Sequence, residues 1–140
     1  MIVPDKAIEL AKKFEGLRLD PYICPAGFWT VGYGHLCAKN QKPITKQEAD
    51  KFLEDDLRIA MSYTLKHCPV LATEDDAKLS AIIDFTFNLG PGRLRSSTLR
   101  RRINQKDWSE AKKELMKWVY GGGRVLPGLA MRRTAEAALL

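Results

Sequence analysis

The sequence predicts a mainly helical α+β protein with one small sheet near its N-terminus, and three observations carry that expectation. Apolar residues recur at helical spacing through most of the chain. Residues 18–36 differ: they gather Pro21, Pro25, Gly27, Gly32 and Gly34 among the strand formers Tyr22, Ile23, Phe28, Trp29, Val31 and Tyr33. The 140 residues are 45% hydrophobic and 29% charged with a mean hydropathy of -0.28, which excludes a disordered or fibrous chain and suits a single domain over 1–140. No internal repeat, low-complexity tract or linker divides the chain, and no apolar run reaches the length of a membrane span.

Pro4 suits a first helical turn, and Ala7, Leu10, Ala11 and Phe14 follow as one apolar stripe, so a short amphipathic helix should end near Glu15. Gly16 is its expected terminator, which sets the Glu15 carboxyl beside the negative end of the helix dipole. A β-hairpin follows, with its turn at Pro25-Ala26-Gly27. Symmetry about Gly27 would place Cys24 opposite Thr30 as a cross-strand pair sharing one face, whereas a register slip of one residue would part them.

Thr45 and Glu48 form a capping box ahead of a stripe of Ala49, Phe52, Leu53, Leu57, Ala60, Met61 and Leu65, predicting a long helix from about residue 46 to 66 that Pro69 stops. A second capped helix begins at Thr73, turns Leu79, Ile82, Ile83 and Phe87 inward, and ends at Gly90-Pro91-Gly92. Ser97-Thr98 cap a basic helix to about Ile103. Ser109 caps another to about Val119, which Gly121-Gly122-Gly123 should end, and a final helix starts near Gly128. Together these elements predict a small β-containing lobe, a long connecting helix and a larger helical lobe.

Charge and cysteine usage bound the partners. The 23 Lys and Arg against 17 Asp and Glu give +6, so an anionic partner is expected: nucleic acid, an acidic membrane surface or a wall polymer. The odd cysteine count and the absence of a signal-peptide pattern at the start fit free thiols made in a reducing compartment. A zinc site from Cys24, His35, Cys37, His67 and Cys68 would lack any Cys-x-x-Cys pair, so no metal site is assigned; Cys37 and Cys68 read as small apolar residues.

The segment Glu15-Gly16, eight residues later Cys24, and five residues after that Thr30-Val31-Gly32-Tyr33-Gly34-His35 resembles the active-site signature of the phage-type lysozyme (endolysin muramidase) family, glycoside hydrolase family 24. Phe85-Thr86-Phe87-Asn88-Leu89-Gly90 resembles the family's core helix, Ser97-Thr98-Leu99 its next helix start, and Gly128-Leu129 with Arg132-Arg133 and Glu136 its C-terminal signature. The resemblance implies a lysozyme-like fold and hydrolysis of the β-1,4 bond between N-acetylmuramic acid and N-acetylglucosamine in peptidoglycan, with no cofactor.

Such cleavage needs a proton donor at the leaving oxygen and a route for water to the anomeric carbon. The resemblance makes Glu15 the general acid, with Cys24, where Asp is the more familiar residue, and Thr30 holding a water on the opposite face; an ordinary solvated glutamate, a small hairpin residue and a strand former are the structural alternatives. Inverting attack by water is favoured over a covalent thiol intermediate, because a free thiol with a pKa near ~8.5 is mostly neutral at pH 7. Leu36, Phe87, Asn88 and Thr98 map onto glycan-cleft positions, with core packing and helix capping as the alternatives. His35 is assigned to a structural pairing in the nearby lobe, and Arg132 and Arg133 to fastening the last helix near Glu15.

The resemblance further implies a phage or prophage lysis protein that acts as a monomer, waits in the host cytoplasm and reaches the periplasmic wall through holin lesions. The cluster Arg93, Arg95, Arg100, Arg101 and Arg102 would attract the acidic wall or anionic outer-membrane lipid. Two alternatives remain at this level. A lytic transglycosylase would cut the same bond and leave an anhydro sugar, and a non-enzymatic basic nucleic-acid-binding module would use the arginines but leave the Glu15, Cys24, Thr30 spacing unexplained.

Overall fold

In a computed structural model describing residues 2–140, the chain begins with α1 (Asp5–Glu15), then β1 (Arg18–Ile23), β2 (Trp29–Gly32) and β3 (His35–Leu36) in one antiparallel sheet ordered β1-β2-β3. The long α2 (Lys46–His67) and a 3₁₀ turn (Pro69–Thr73) lead to α3 (Asp76–Leu89). There follow α4 (Pro91–Arg95), α5 (Thr98–Asn104), α6 (Trp108–Leu115), a small hairpin of β4 (Tyr120–Gly121) and β5 (Arg124–Val125), and α7 (Pro127–Ala137). The mainly helical architecture with a small N-terminal sheet is the predicted one.

The capping box of α2 is present in full: the Glu48 amide donates to Thr45 Oγ1 and the Thr45 amide to Glu48 Oε1, each at 3.1 Å. Leu53, Leu57 and Met61 are buried along one face. Each such side chain contributes about 1.5–3 kcal/mol. The exposed Lys51–Asp55 and Arg58–Glu54 pairs on the other face give ~0–1 kcal/mol apiece, so apolar burial decides which way α2 faces. Its inner face packs on α3, where Thr64 Oγ1 donates to Thr86 Oγ1 at 2.8 Å between the helices.

The centre of the molecule is α3. Residues Leu79 through Thr86 are buried without interruption, so this helix is enclosed on all sides, with α1, α2 and α7 packed against it. Asp84 lies inside that run and is fully buried.

Several expectations are corrected. Tyr22, not Cys24, pairs with Thr30, and Ile23 pairs with Trp29. The Gly27 amide closes the turn on the Cys24 carbonyl at 2.8 Å and the Cys24 amide reaches Phe28 O at 2.9 Å, which centres the hairpin one residue before Gly27. That is a shift of two positions on one strand, so Cys24 and Thr30 still share a face although they are diagonal neighbours. Thr73 closes the 3₁₀ turn, and Asp75 caps α3 by accepting from the Lys78 amide at 2.9 Å. Phe87 is only half buried. Asp107 rather than Ser109 caps α6, which ends at Leu115. Gly122 and Gly123, both at positive φ, form the two-residue turn between β4 and β5 that needs such backbone, so the glycine run turns a hairpin instead of ending a helix.

Candidate active site

Glu15 is the last residue of α1, where the chain turns from helix to sheet. Its carboxyl is held from two directions. Arg132 of α7 donates from Nη1 to Glu15 Oε2 at 2.5 Å, and on the other side the carboxyl lies against the backbone of Gly34. A Cβ at position 34 would stand 2.6 Å from Glu15 Oε1, and φ there is +75°, so both the space and the backbone demand glycine. The Glu15 side chain keeps 22% exposure, which leaves the carboxyl reachable from solvent.

Arg132 is itself fixed from behind. Its Nε and Nη2 each donate at 2.8 Å to the two oxygens of Asp84, a bidentate pair buried in α3 and α7. Beside it Arg133 Nε lies 2.7 Å from Glu136 Oε1, while Arg133 Nη2 donates to Glu136 Oε2 at 2.9 Å and to Asn88 Oδ1 at 2.8 Å. For Asp84, burial opposes ionisation, but the hydrogen bonds and charge of Arg132 outweigh it and hold the carboxyl below the ordinary aspartate range. The expectation that Arg132 ties the last helix to the N-terminal lobe near Glu15 is met.

On the hairpin, Thr30 is buried and its Oγ1 donates to Phe28 O at 2.9 Å. Cys24 sits beside the turn. The Phe28 backbone amide holds its thiol below the ordinary cysteine range; slight burial opposes, and the Thr30 hydroxyl with the Ala26 and Gly27 amides adds to the lowering. Tyr22 shares this face. Burial and then the charge of Glu15 raise its phenol, Arg18 at 4.4 Å from the ring centre opposes, and Cys24 adds a smaller rise.

A groove of about 270 Å³ runs alongside, lined by Gly34, Leu36, Ile59, Tyr63, Phe87 and Pro91 among others. Leu36 and Ile59 are exposed there, at 63% and 58%. An open apolar floor with flanking polar groups suits the faces of sugar rings. His35 forms one wall: its Nδ1 lies 2.8 Å from Asp56 Oδ2, and its ring stacks on Phe52 with centroids 4.3 Å apart, the structural pairing expected of it. Asn88 and Thr98 are not among the groove's lining residues. Asn88 accepts from Arg133, and Thr98, the first residue of α5, accepts from Arg101 Nη2 at 3.2 Å.

Sequence reasoning missed Tyr22, Asp84 and Asp56. Tyr22 precedes Cys24 by two residues and so shares its side of the strand, and Asp84 is the lone acid in the apolar run Ser80-Ala81-Ile82-Ile83-Asp84-Phe85. Asp56 lies on the α2 turn beside the Phe52 that His35 stacks upon, a relationship that no local spacing announces.

Comparison with known proteins is consistent throughout. Residues 12–136 match the family described as Phage lysozyme. The chain is 40% identical over 144 residues to an endolysin of Acyrthosiphon pisum secondary endosymbiont phage 1, covering 99% of this chain and 97% of that one. Among solved structures, the muramidase domain of SpmX from Asticaccaulis excentricus superposes with a TM-score of 0.86 at 30% identity, covering 98% of this chain and 95% of that one. The active form of P1 phage endolysin Lyz superposes with a TM-score of 0.87 at 28% identity, covering 98% of this chain and 83% of that one.

Proposed function

The chain belongs to the phage lysozyme family and is an endolysin-type muramidase acting on peptidoglycan, and from that premise we propose that it hydrolyses the β-1,4 bond between N-acetylmuramic acid and N-acetylglucosamine within one catalytic domain. The observation that supports this most directly is the fixed Glu15 carboxyl, clamped by Arg132 and set against Gly34 beside the hairpin face that carries Thr30 and Cys24.

Glu15 gives its proton to the glycosidic oxygen as the bond to the anomeric carbon breaks. Thr30 Oγ1 and Cys24 Sγ hold a water on the opposite face of the sugar. Its oxygen bonds to the anomeric carbon, its proton leaves to solvent, and the product carries the inverted configuration. Leu36 and Phe87 support the sugar rings in the groove. Asn88 serves the same groove indirectly, through Arg133 and the network behind Arg132. The enzyme works as a monomer, waits in the host cytoplasm, passes a holin lesion to reach the wall, and uses its arginine cluster for attraction to anionic surfaces, outer-membrane lipid among them.

Turbidity clearing of outer-membrane-stripped bacteria tests this. Glu15→Gln should abolish clearing while leaving the fold intact, and clearing equal to the parent's would overturn the assignment. New reducing ends in the released fragments support hydrolysis; anhydro sugars would make the protein a lytic transglycosylase instead. The first anomer seen by NMR reports inversion or retention.

A further inference from the structure

Behind Glu15 the interior holds more charge than one ion pair needs. Asp84 and Asn88 stand one turn apart on α3 and meet Arg132, Arg133 and Glu136 of α7. Asp84, Arg133 and Glu136 are fully buried, and Arg132 keeps 4% exposure. Guanidinium groups stay charged in a protein. Two fixed positive charges therefore face three carboxyl groups, those of Asp84, Glu136 and Glu15. Ionising all three would leave a net negative charge mostly away from water, which burial opposes, so one carboxyl keeps a proton.

The contacts say which. Both Asp84 oxygens accept from Arg132 at 2.8 Å, as a carboxylate does. Glu136 Oε2 accepts from Arg133 Nη2 at 2.9 Å, but Oε1 lies out of line with the Arg133 Nε–H and is buried without a hydrogen-bond partner. That oxygen is free to carry the proton. The Asp84 and Glu136 carboxyl groups are also hydrogen-bonded to each other, which two ionised carboxylates cannot be. Burial and then the bond to Asp84 raise Glu136 well above the ordinary glutamate range, against the charge of Arg133. Of the other helices packed on α7, α1 brings Glu15 to Arg132, while α6 buries only Ala111 and Leu115. Lys6, Glu9 and Lys13 of α1 meet α7 at its outer side, beside Ala135 and Leu139.

We propose that Glu136 is a positioning residue that works as the neutral acid, donating its proton to Asp84, whose two oxygens hold Arg132 to Glu15. With the proton there, Arg132, Arg133 and Asp84 sum to one positive charge. When Glu15 gives its proton to the glycosidic oxygen, the carboxylate it becomes brings the network to neutrality. An ionised Glu136 would make the same step end on a net negative charge. The assignment rests on the reading of Glu15 as the general acid.

The test compares the parent with Glu136→Gln and Glu136→Ala. Gln keeps an N–H for Asp84 and a carbonyl for Arg133 but cannot ionise. Because the folded value is raised above the unfolded ~4.3, the stability due to this proton is complete below ~4.3 and is lost as pH rises toward the folded value. Urea unfolding between pH 5 and 7.5 should therefore show the Gln variant gaining on the parent by up to about tenfold in folding constant per pH unit. A gap that stays constant or closes as pH rises would mean an ionised Glu136 and overturn the proposal. In parent protein carrying 13C-labelled glutamate, the Glu136 Cδ signal, assigned by its absence from the Gln variant, should still report a protonated carboxyl at pH 6. A carboxylate signal there would overturn the proposal too. Ala, with no donor for Asp84, should lose about ten- to a hundredfold in kcat on sacculi at unchanged KM, and Gln should restore most of that loss. A folded Ala variant with the parent's kcat, or a Gln variant as impaired as Ala, would overturn the positioning role. An Ala variant that does not fold leaves the decision to the unfolding slope and the Cδ signal, which need no activity. Absence of new reducing ends from the parent's own digest would sink the muramidase reading while leaving those two measurements standing.

Discussion

Arg132 and Glu15 stand 117 residues apart in sequence and are joined by a 2.5 Å hydrogen bond. The same guanidinium holds buried Asp84 through its other two nitrogens, so one side chain ties α1, α3 and α7 together at the edge of the site.

Replacing Arg132 with Met should leave the Asp84 carboxylate buried and unpaired, at a cost of about 3–5 kcal/mol. Urea unfolding should show the midpoint falling by a corresponding amount, and clearing activity should fall further than stability explains because Glu15 loses its anchor. A midpoint within error of the parent's would mean that the buried pair contributes nothing.

Gly34→Ala should impair turnover more than folding. The added Cβ meets Glu15 Oε1, and displacing a reacting group by ~1 Å costs on the order of 10²-fold in rate. The positive φ adds about 1–3 kcal/mol of strain. Activity at a temperature where the variant is fully folded by circular dichroism distinguishes the two effects.

The thiols should react in a fixed order. The Phe28 amide lowers the Cys24 thiol, while burial raises Cys37 and pushes Cys68 up to about 12. Iodoacetamide near neutral pH should alkylate Cys24 first, as mass spectrometry of digested protein would show, and clearing should decline in step. Cys24→Ser should keep most activity if the residue positions water, whereas loss comparable to Glu15→Gln would require a nucleophilic thiol.

His67 should make the fold sensitive to mild acid. Burial lowers its pKa below the ordinary histidine range, with Arg100, Lys66 and Arg95 adding to the effect. The unfolded chain then binds the proton more readily than the folded one, so stability is intact above ~6.5, the unfolded value, and declines as pH falls through the lower folded value. Melting temperatures measured between pH 7.5 and 5 should show this decline, and His67→Gln should flatten that part of the profile.

What was legible in the sequence was whatever depends on local spacing. The capping box Thr45–Glu48 and the apolar stripe of α2 are written in adjacent turns, and the structure reproduces them almost to the residue. The helix end at Glu15 and the strand that carries Thr30 are likewise where the local pattern predicts them. Hairpin register differs from the symmetric pairing because it depends on which amide closes the turn, and the Gly27 to Cys24 and Cys24 to Phe28 bonds move the pairing by two positions on one strand. Asp84 and Asp56 were missed for a different reason: their partners, Arg132 and His35, lie 48 and 21 residues away, and only the packing of α7 and the β3 edge brings them into contact.

The Arg132 clamp also has a bearing on timing. Glu15 leaves the ribosome early in synthesis, but the guanidinium that aims it arrives only with α7. A chain cut short by a premature stop or by proteolysis before residue 132 carries its acid without the means to orient it, so wall-cutting power appears in one step, once α7 has been made.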